Sequence, residues 1–157
     1  MKNNKGFSLV ELIIVIAIMA VLVTVIVPTM FQYIEKSKRA VDIQNADSFI
    51  QAARAVITDH QLDTKYDDEH YSTSVAWNKN SKFNAENPKT LLDYFAKELG
   101  ELPLSKAHPD YFVVLEYEQN TRPTRMYLTD KLGKDGKKYE LWPDASNYLQ
   151  GKRLISG

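Results

Sequence analysis

From Phe7 to Val27 the chain runs for 21 residues with only Ser8, Glu11 and Thr24 polar, and Leu12 to Val23 is unbroken apolar sequence. At 1.5 Å of rise per residue, a helix of that length reaches about 31 Å, the depth of one hydrocarbon core. The run is rich in β-branched residues, which favour strands in water. A strand this long and apolar would leave its edges unpaired in lipid, so a helix is expected. The mean hydropathy of −0.37 therefore averages two unlike parts.

Two ordinary explanations of such a segment fall short. A secretory signal peptide needs a small-residue A-x-A cleavage site after the apolar run. Here Ala17 and Ala20 stand inside the run, which leads into Pro28-Thr-Met-Phe. A plain signal anchor gets no orientation from charge, since Lys2 and Lys5 on one flank face Lys36, Lys38 and Arg39 on the other. Neither explains Glu11. A carboxylate in an apolar span costs about 2.5–3.5 kcal/mol to insert, which marks an ionisable residue there as a functional candidate. Near a helix start it can also escape to the headgroups.

The segment Lys5-Gly6-Phe7-Ser8-Leu9-Val10-Glu11-Leu12 resembles the leader and processing site of type IV prepilins. The resemblance covers about the first thirty residues. It rests on a basic leader, the Gly-Phe pair, one placed acid, and an apolar run that begins before that acid and continues past it. It implies a leader of residues 1–6, cut by a membrane aspartyl peptidase between Gly6 and Phe7. N-methylation of the new amine at Phe7 would follow, then a transmembrane and assembly helix over 7–28. It also implies other copies of the chain in a helical filament, the assembly machinery and, before assembly, the cytoplasmic membrane as partners. The finished pilus would lie on the cell surface. The family's roles are adhesion, surface motility, biofilm formation and DNA uptake. A pseudopilin of type II secretion or competence shares the leader and fold. A membrane-anchored sensor or enzyme domain is a more distant alternative.

Physical chemistry gives Glu11 a matching task. Cleavage after Gly6 creates a positive amine at Phe7, close in sequence. In a dry bundle of helices a lone carboxylate is costly and a paired one much less so. The amine of one copy and Glu11 of the next meet at one axial offset, so Glu11 would select register. Pro28 lacks a backbone N–H and crowds the preceding turn, so a kink is expected there. In type IV pilins a proline at the matching place accompanies bending or local unwinding. Ala20 stands where many family members have glycine.

Residues 29–157 are expected to form the head. A helix over 29–60 carries Ile43, Ala46, Phe49, Ile50, Ala53, Val56 and Ile57 as an apolar stripe, with Asp42, Gln44, Asp47, Gln51 and Arg54 on the opposite face. The connection 61–109 begins with a polar surface stretch, 61–87, anchored by aromatic residues. A short helix then opens on Asn87-Pro88, carries Leu91, Leu92, Phe95 and Leu99, and closes at Gly100. An antiparallel meander of three strands fills 110–142, in 110–119, 124–130 and 138–142. The tail 143–157 packs back as a turn or short extra strand. The expected class is α+β, a long N-terminal helix packed across a small antiparallel sheet, which is the architecture of type IV pilins.

There are no cysteines, which excludes a disulfide scaffold, thiolate metal sites and a cysteine nucleophile. Many Gram-negative pilins close a C-terminal loop with a disulfide, so the chain looks more similar to pilins of Gram-positive bacteria. No cofactor or catalytic constellation is indicated. Asp67, Asp68 and His70 form the sole cluster with metal-ligand character, and adjacent loop acids are usually solvated. Removing Lys2 and Lys5 leaves 18 basic against 20 acidic side chains, so no net attraction to nucleic acid follows.

Overall fold

A computed structural model describes residues 7–59, 74–117, 123–132 and 136–152. The chain divides into two compact units, residues 1–37 and 38–157. One helix, α1 (Leu9–Asp59, 51 residues), passes from the first into the second.

In the first unit α1 exposes its apolar side chains on all sides, and it is long and apolar enough to cross a membrane. Two of its hydroxyls, those of Thr24 and Thr29, are satisfied within the helix. Thr24 Oγ1 donates to the Val21 carbonyl at 2.7 Å and Thr29 Oγ1 to the Ile26 carbonyl at 2.8 Å. Such pairing is what hydrocarbon demands of a polar group. Pro28 lies inside α1, with helical backbone on both sides.

The second unit holds a four-stranded antiparallel sheet in the order β1 (Ser74–Trp77), β2 (Phe112–Tyr117), β3 (Pro123–Thr129), β4 (Lys138–Trp142). Its helices are the C-terminal part of α1, α2 (Leu91–Leu99) and the four-residue α3 (Ser146–Leu149). Register stacks the apolar positions of one sheet face: Trp77 opposite Val113, Val75 opposite Leu115, Val113 opposite Leu128, Leu115 opposite Met126. Ala46, Phe49, Ile50, Ala53, Val56 and Ile57 of α1 join that face in one core with Phe95, Leu102, Leu141 and Tyr148. The Phe49 ring lies 5.1 Å from Trp77 and 5.4 Å from Phe95. Each large side chain fully buried this way is worth about 1.5–3 kcal/mol. The expected α+β class, a long N-terminal helix packed against a small antiparallel sheet, is what the chain adopts.

Four details differ from expectation. The stretch 61–87 contains a strand, β1, whose Trp77 is wholly buried and donates its indole N–H to the Pro103 carbonyl at 2.9 Å. Alternation cannot show in four residues, and polar neighbours on both sides hid it. Among the described residues the sheet therefore has four strands, not three. Helix α2 is capped by Thr90, not by Asn87-Pro88. The capping box Thr90-x-x-Asp93 outcompetes the earlier cap because both of its orphan donors find acceptors. Gly100, at φ 76°, does close α2, in a backbone region that costs glycine little. Finally, the tail forms the short helix α3, because Tyr148 must turn inward. Tyr66, Tyr71, Leu154, Ile155 and the hairpin residues 118–122 and 133–135 lie outside the described residues.

Asp93 supplies a pH test of this cap. Its carboxylate accepts the N–H of Asn84 at 2.7 Å, and those of Lys89 and Thr90 at 3.2 and 3.1 Å. The Asn84 bond first, and the Thr90 and Lys89 bonds with it, hold its pKa below the ordinary value against the opposing effect of burial. A depressed carboxyl stabilises the fold above its unfolded-state pKa of about 4, and that share is lost as pH falls through the folded value. Asp93→Asn is expected to lower stability at pH 7 by about 1 kcal/mol. It should also flatten the fall in unfolding midpoint as pH drops below about 4. Denaturation at a series of pH values checks both.

Candidate processing and assembly site

Ser8 precedes the first helical residue, and Leu12 N–H already donates to the Ser8 carbonyl at 3.2 Å. Ser8 is thus the N-cap position and Glu11 is N3. Glu11 Oε2 accepts the Ser8 backbone N–H at 2.9 Å. This is one half of a capping box, and it sets a negative charge at the positive end of the helix dipole. The signal was present in the sequence as Ser8-x-x-Glu11. The apolar run drew attention to the insertion cost of Glu11 and away from its local acceptor role.

The cap turns the carboxylate back toward the start of the chain. Ser8 N is one residue beyond Phe7, whose side chain is 87 % exposed. An amine created at Phe7 would lie next to a carboxylate already held in place. Gly6 lies outside the described residues, as do Asp67, Asp68 and His70. Among the described residues no group of three or more potential metal ligands comes together.

The head holds a polar cluster that the sequence assigned to the wrong face. Asp42 was expected on the solvated side of the helix, but it is 2 % exposed. Its carboxylate accepts the Ser105 hydroxyl at 2.6 Å, the Tyr148 hydroxyl at 2.5 Å, and the backbone N–H groups of Lys106 and Ala107 at 2.5 and 3.3 Å. Position 42 continues the stripe by one turn before Ala46, and that spacing is the clue. Side-chain polarity argued the other way, and it misled because donors from two distant segments compensate the burial. Burial, together with the bond to Asp42, pushes the Tyr148 hydroxyl pKa up. Gly151, at φ 72°, passes so close to Arg39 that an added Cβ would stand 2.7 Å from Nη1. The arrangement joins α1, the 105–107 segment and the tail. Its buried carboxylate thus meets four donors from two segments distant in sequence.

Residues 1–27 match a sequence family described as "Prokaryotic N-terminal methylation motif". No curated protein and no solved structure matches the chain. The matched segment is the signal of type IV prepilin-like proteins, and it indicates the pilin or pseudopilin class. The motif is structural and does not define an enzyme family, nor does it single out Gram-positive pilins. With the apolar start of α1 it points to a membrane-anchored precursor.

Proposed function

We propose that the chain is a type IV prepilin, cleaved after Gly6, methylated at Phe7 and polymerised into a surface filament through residues 7–28. The observation that carries this reading is the methylation motif over residues 1–27, coinciding with a Glu11 carboxylate held toward residue 7 at Ser8 N–H. The prepilin peptidase removes the leader 1–6 at the cytoplasmic face of the membrane. The span stores the subunit in lipid until an assembly motor extracts it. Lipid is as apolar as leucine, so transfer into a helix bundle gains little from hydrophobicity; packing and polar pairing set the geometry. Pairing of the Phe7 amine with Glu11 of a neighbouring copy selects the axial offset, and Pro28 lets the helix bend where the span ends. The head, residues 29–157, gives the filament its surface and so its adhesion, motility, biofilm or DNA-uptake role.

N-terminal sequencing of material sheared from cells is expected to begin at Phe7. Mass spectrometry should add one methyl group to that residue. A start at Met1 or Lys2 would overturn the reading. Electron microscopy with antibody to the head then separates pilin from pseudopilin: labelled long filaments support the proposal. Processed protein without filaments moves it to the secretion or competence class.

A further inference from the structure

His108 joins the polar cluster of the head to its aromatic residues. Its backbone N–H donates to Ser105 Oγ at 2.8 Å, and that hydroxyl in turn donates to the buried Asp42 carboxylate. Its half-buried imidazole lies across two phenol rings. The ring centroids are 4.7 Å from Tyr111 and 5.1 Å from Tyr139, with interplanar angles of 26° and 10°. The wholly buried Tyr148, which donates its hydroxyl to Asp42, has its ring 6.1 Å away. One imidazole thus meets the 105–111 segment, β4 and the tail. A phenyl ring would stack here with no ring nitrogen to desolvate. What imidazole adds is a charge that comes and goes between about pH 5 and pH 8.

The surroundings favour that charge. A cation is attracted to the face of an aromatic ring, and two tyrosines offer theirs. On α1, Asp42 acts on Tyr148 more strongly than Arg39 does, so the net field at that ring is negative. On β4, Lys138 and Glu140 flank Tyr139 but belong to the other face of the sheet. There Lys138 Nζ lies over the Tyr127 ring and Glu140 pairs with Arg125. Within the segment itself Asp110 pairs with Lys79, and Lys106 lines a groove with Asn45 and Ser48. Helix α3 carries no charge; Asp144 before it accepts the Ser146 N–H, and Lys152 after it is exposed. We propose that His108 is an acid-operated latch: once protonated, it clamps the 105–111 segment and the tail together over α1. The head then grips its tail more firmly as the medium acidifies. The contribution to stability is complete below the ordinary histidine value of about 6.5, and it fades as pH rises through the higher value of the folded chain. The latch depends on neither cleavage nor polymerisation.

The chain has three histidines, so His60→Gln and His70→Gln leave His108 as its one imidazole. Proton NMR follows that ring in the full chain, in detergent micelles, from about pH 5 to pH 8. His108 is expected to bind its proton about tenfold more tightly than in the same chain unfolded in urea. Equal or weaker binding in the folded chain would overturn the latch. Tyr139→Leu removes one of the two ring faces and should weaken proton binding about threefold. A titration that this substitution leaves unmoved would also overturn the latch, since the rings would not be holding the charge. In urea unfolding read by tryptophan fluorescence, the midpoint is expected to be higher at about pH 6 than at about pH 8. His108→Phe keeps a stacked ring and should abolish that difference. A difference that survives in the phenylalanine variant would belong to another group and remove the latch.

Discussion

Asp42→Ala is expected to destabilise the 38–157 unit by about 3–5 kcal/mol, the scale seen when one partner of a buried charged network is deleted. The wild-type carboxylate accepts four donors from two other segments. Alanine leaves the Ser105 and Tyr148 hydroxyls and two backbone N–H groups without that acceptor, and each orphaned buried donor costs about 1–3 kcal/mol. Relaxation and water entry recover part of the sum, which sets the range. Urea denaturation of the full chain in detergent, followed by the fluorescence of Trp77 and Trp142, measures it. Tyr148→Phe removes one charged hydrogen bond and should cost about 1.5–3 kcal/mol. Because the two residues touch, the double variant should lose less than the sum of the singles. Tyr148 has a raised pKa, so its share is complete below its unfolded-state pKa and is lost only as pH climbs through the higher folded value. An Asp42→Ala protein within 1 kcal/mol of wild type would show that the network adds little to the head.

The second large effect concerns assembly. In the proposed filament, Glu11→Ala would leave the Phe7 amine unpaired among apolar helices. At about 3–5 kcal/mol per subunit, this lowers the equilibrium for adding a subunit more than a hundredfold. Filament yield should collapse while insertion and cleavage continue. Glu11→Gln separates the two jobs of this residue. Glutamine still offers an oxygen to Ser8 N–H, as glutamine does in a capping box, but it carries no charge. If charge pairing sets register, Gln assembles as poorly as Ala. Assembly of the Gln variant at wild-type yield would reduce Glu11 to a helix cap and remove the register argument.

The cap and the pairing also explain how a charge can reside at position 11. Before cleavage the carboxylate is partly satisfied by its own chain, through Ser8 N–H and the helix dipole. In the proposed processed form a positive amine at Phe7, four positions before Glu11, would become available. A residue that looks costly from hydropathy thus has a partner in its own chain, and under the proposed processing it would gain a second.

Patterns held within one element were legible before any fold was known. The long apolar helix needed only composition and length, because lipid imposes one solution on a 21-residue run with three polar members. The stripe from Ala46 to Ile57 and the strand β4 needed only a period. The closing of α2 at Gly100 needed only a residue type. The processing signal is likewise contiguous, from Lys5 to Leu12. What stayed hidden depends on partners far along the chain. Strand β1 has four residues and owes its existence to pairing with β2, 36 to 42 positions later at its register contacts Trp77–Val113 to Ser74–Glu116.

Asp42 and Tyr148 show the same division most sharply, being 106 residues apart. One side chain read alone is a solvated acid and the other a loose tail aromatic. The sequence by itself determined the membrane-length helix, the amphipathic stripe and the N-terminal methylation motif, because each is written in the local order of residue types. Only the tertiary structure decided that Asp42 is buried, that β1 joins the sheet and that the tail locks onto α1. Burial of a polar group is permitted by the donors that folding brings to it, and no local pattern records where those donors will come from.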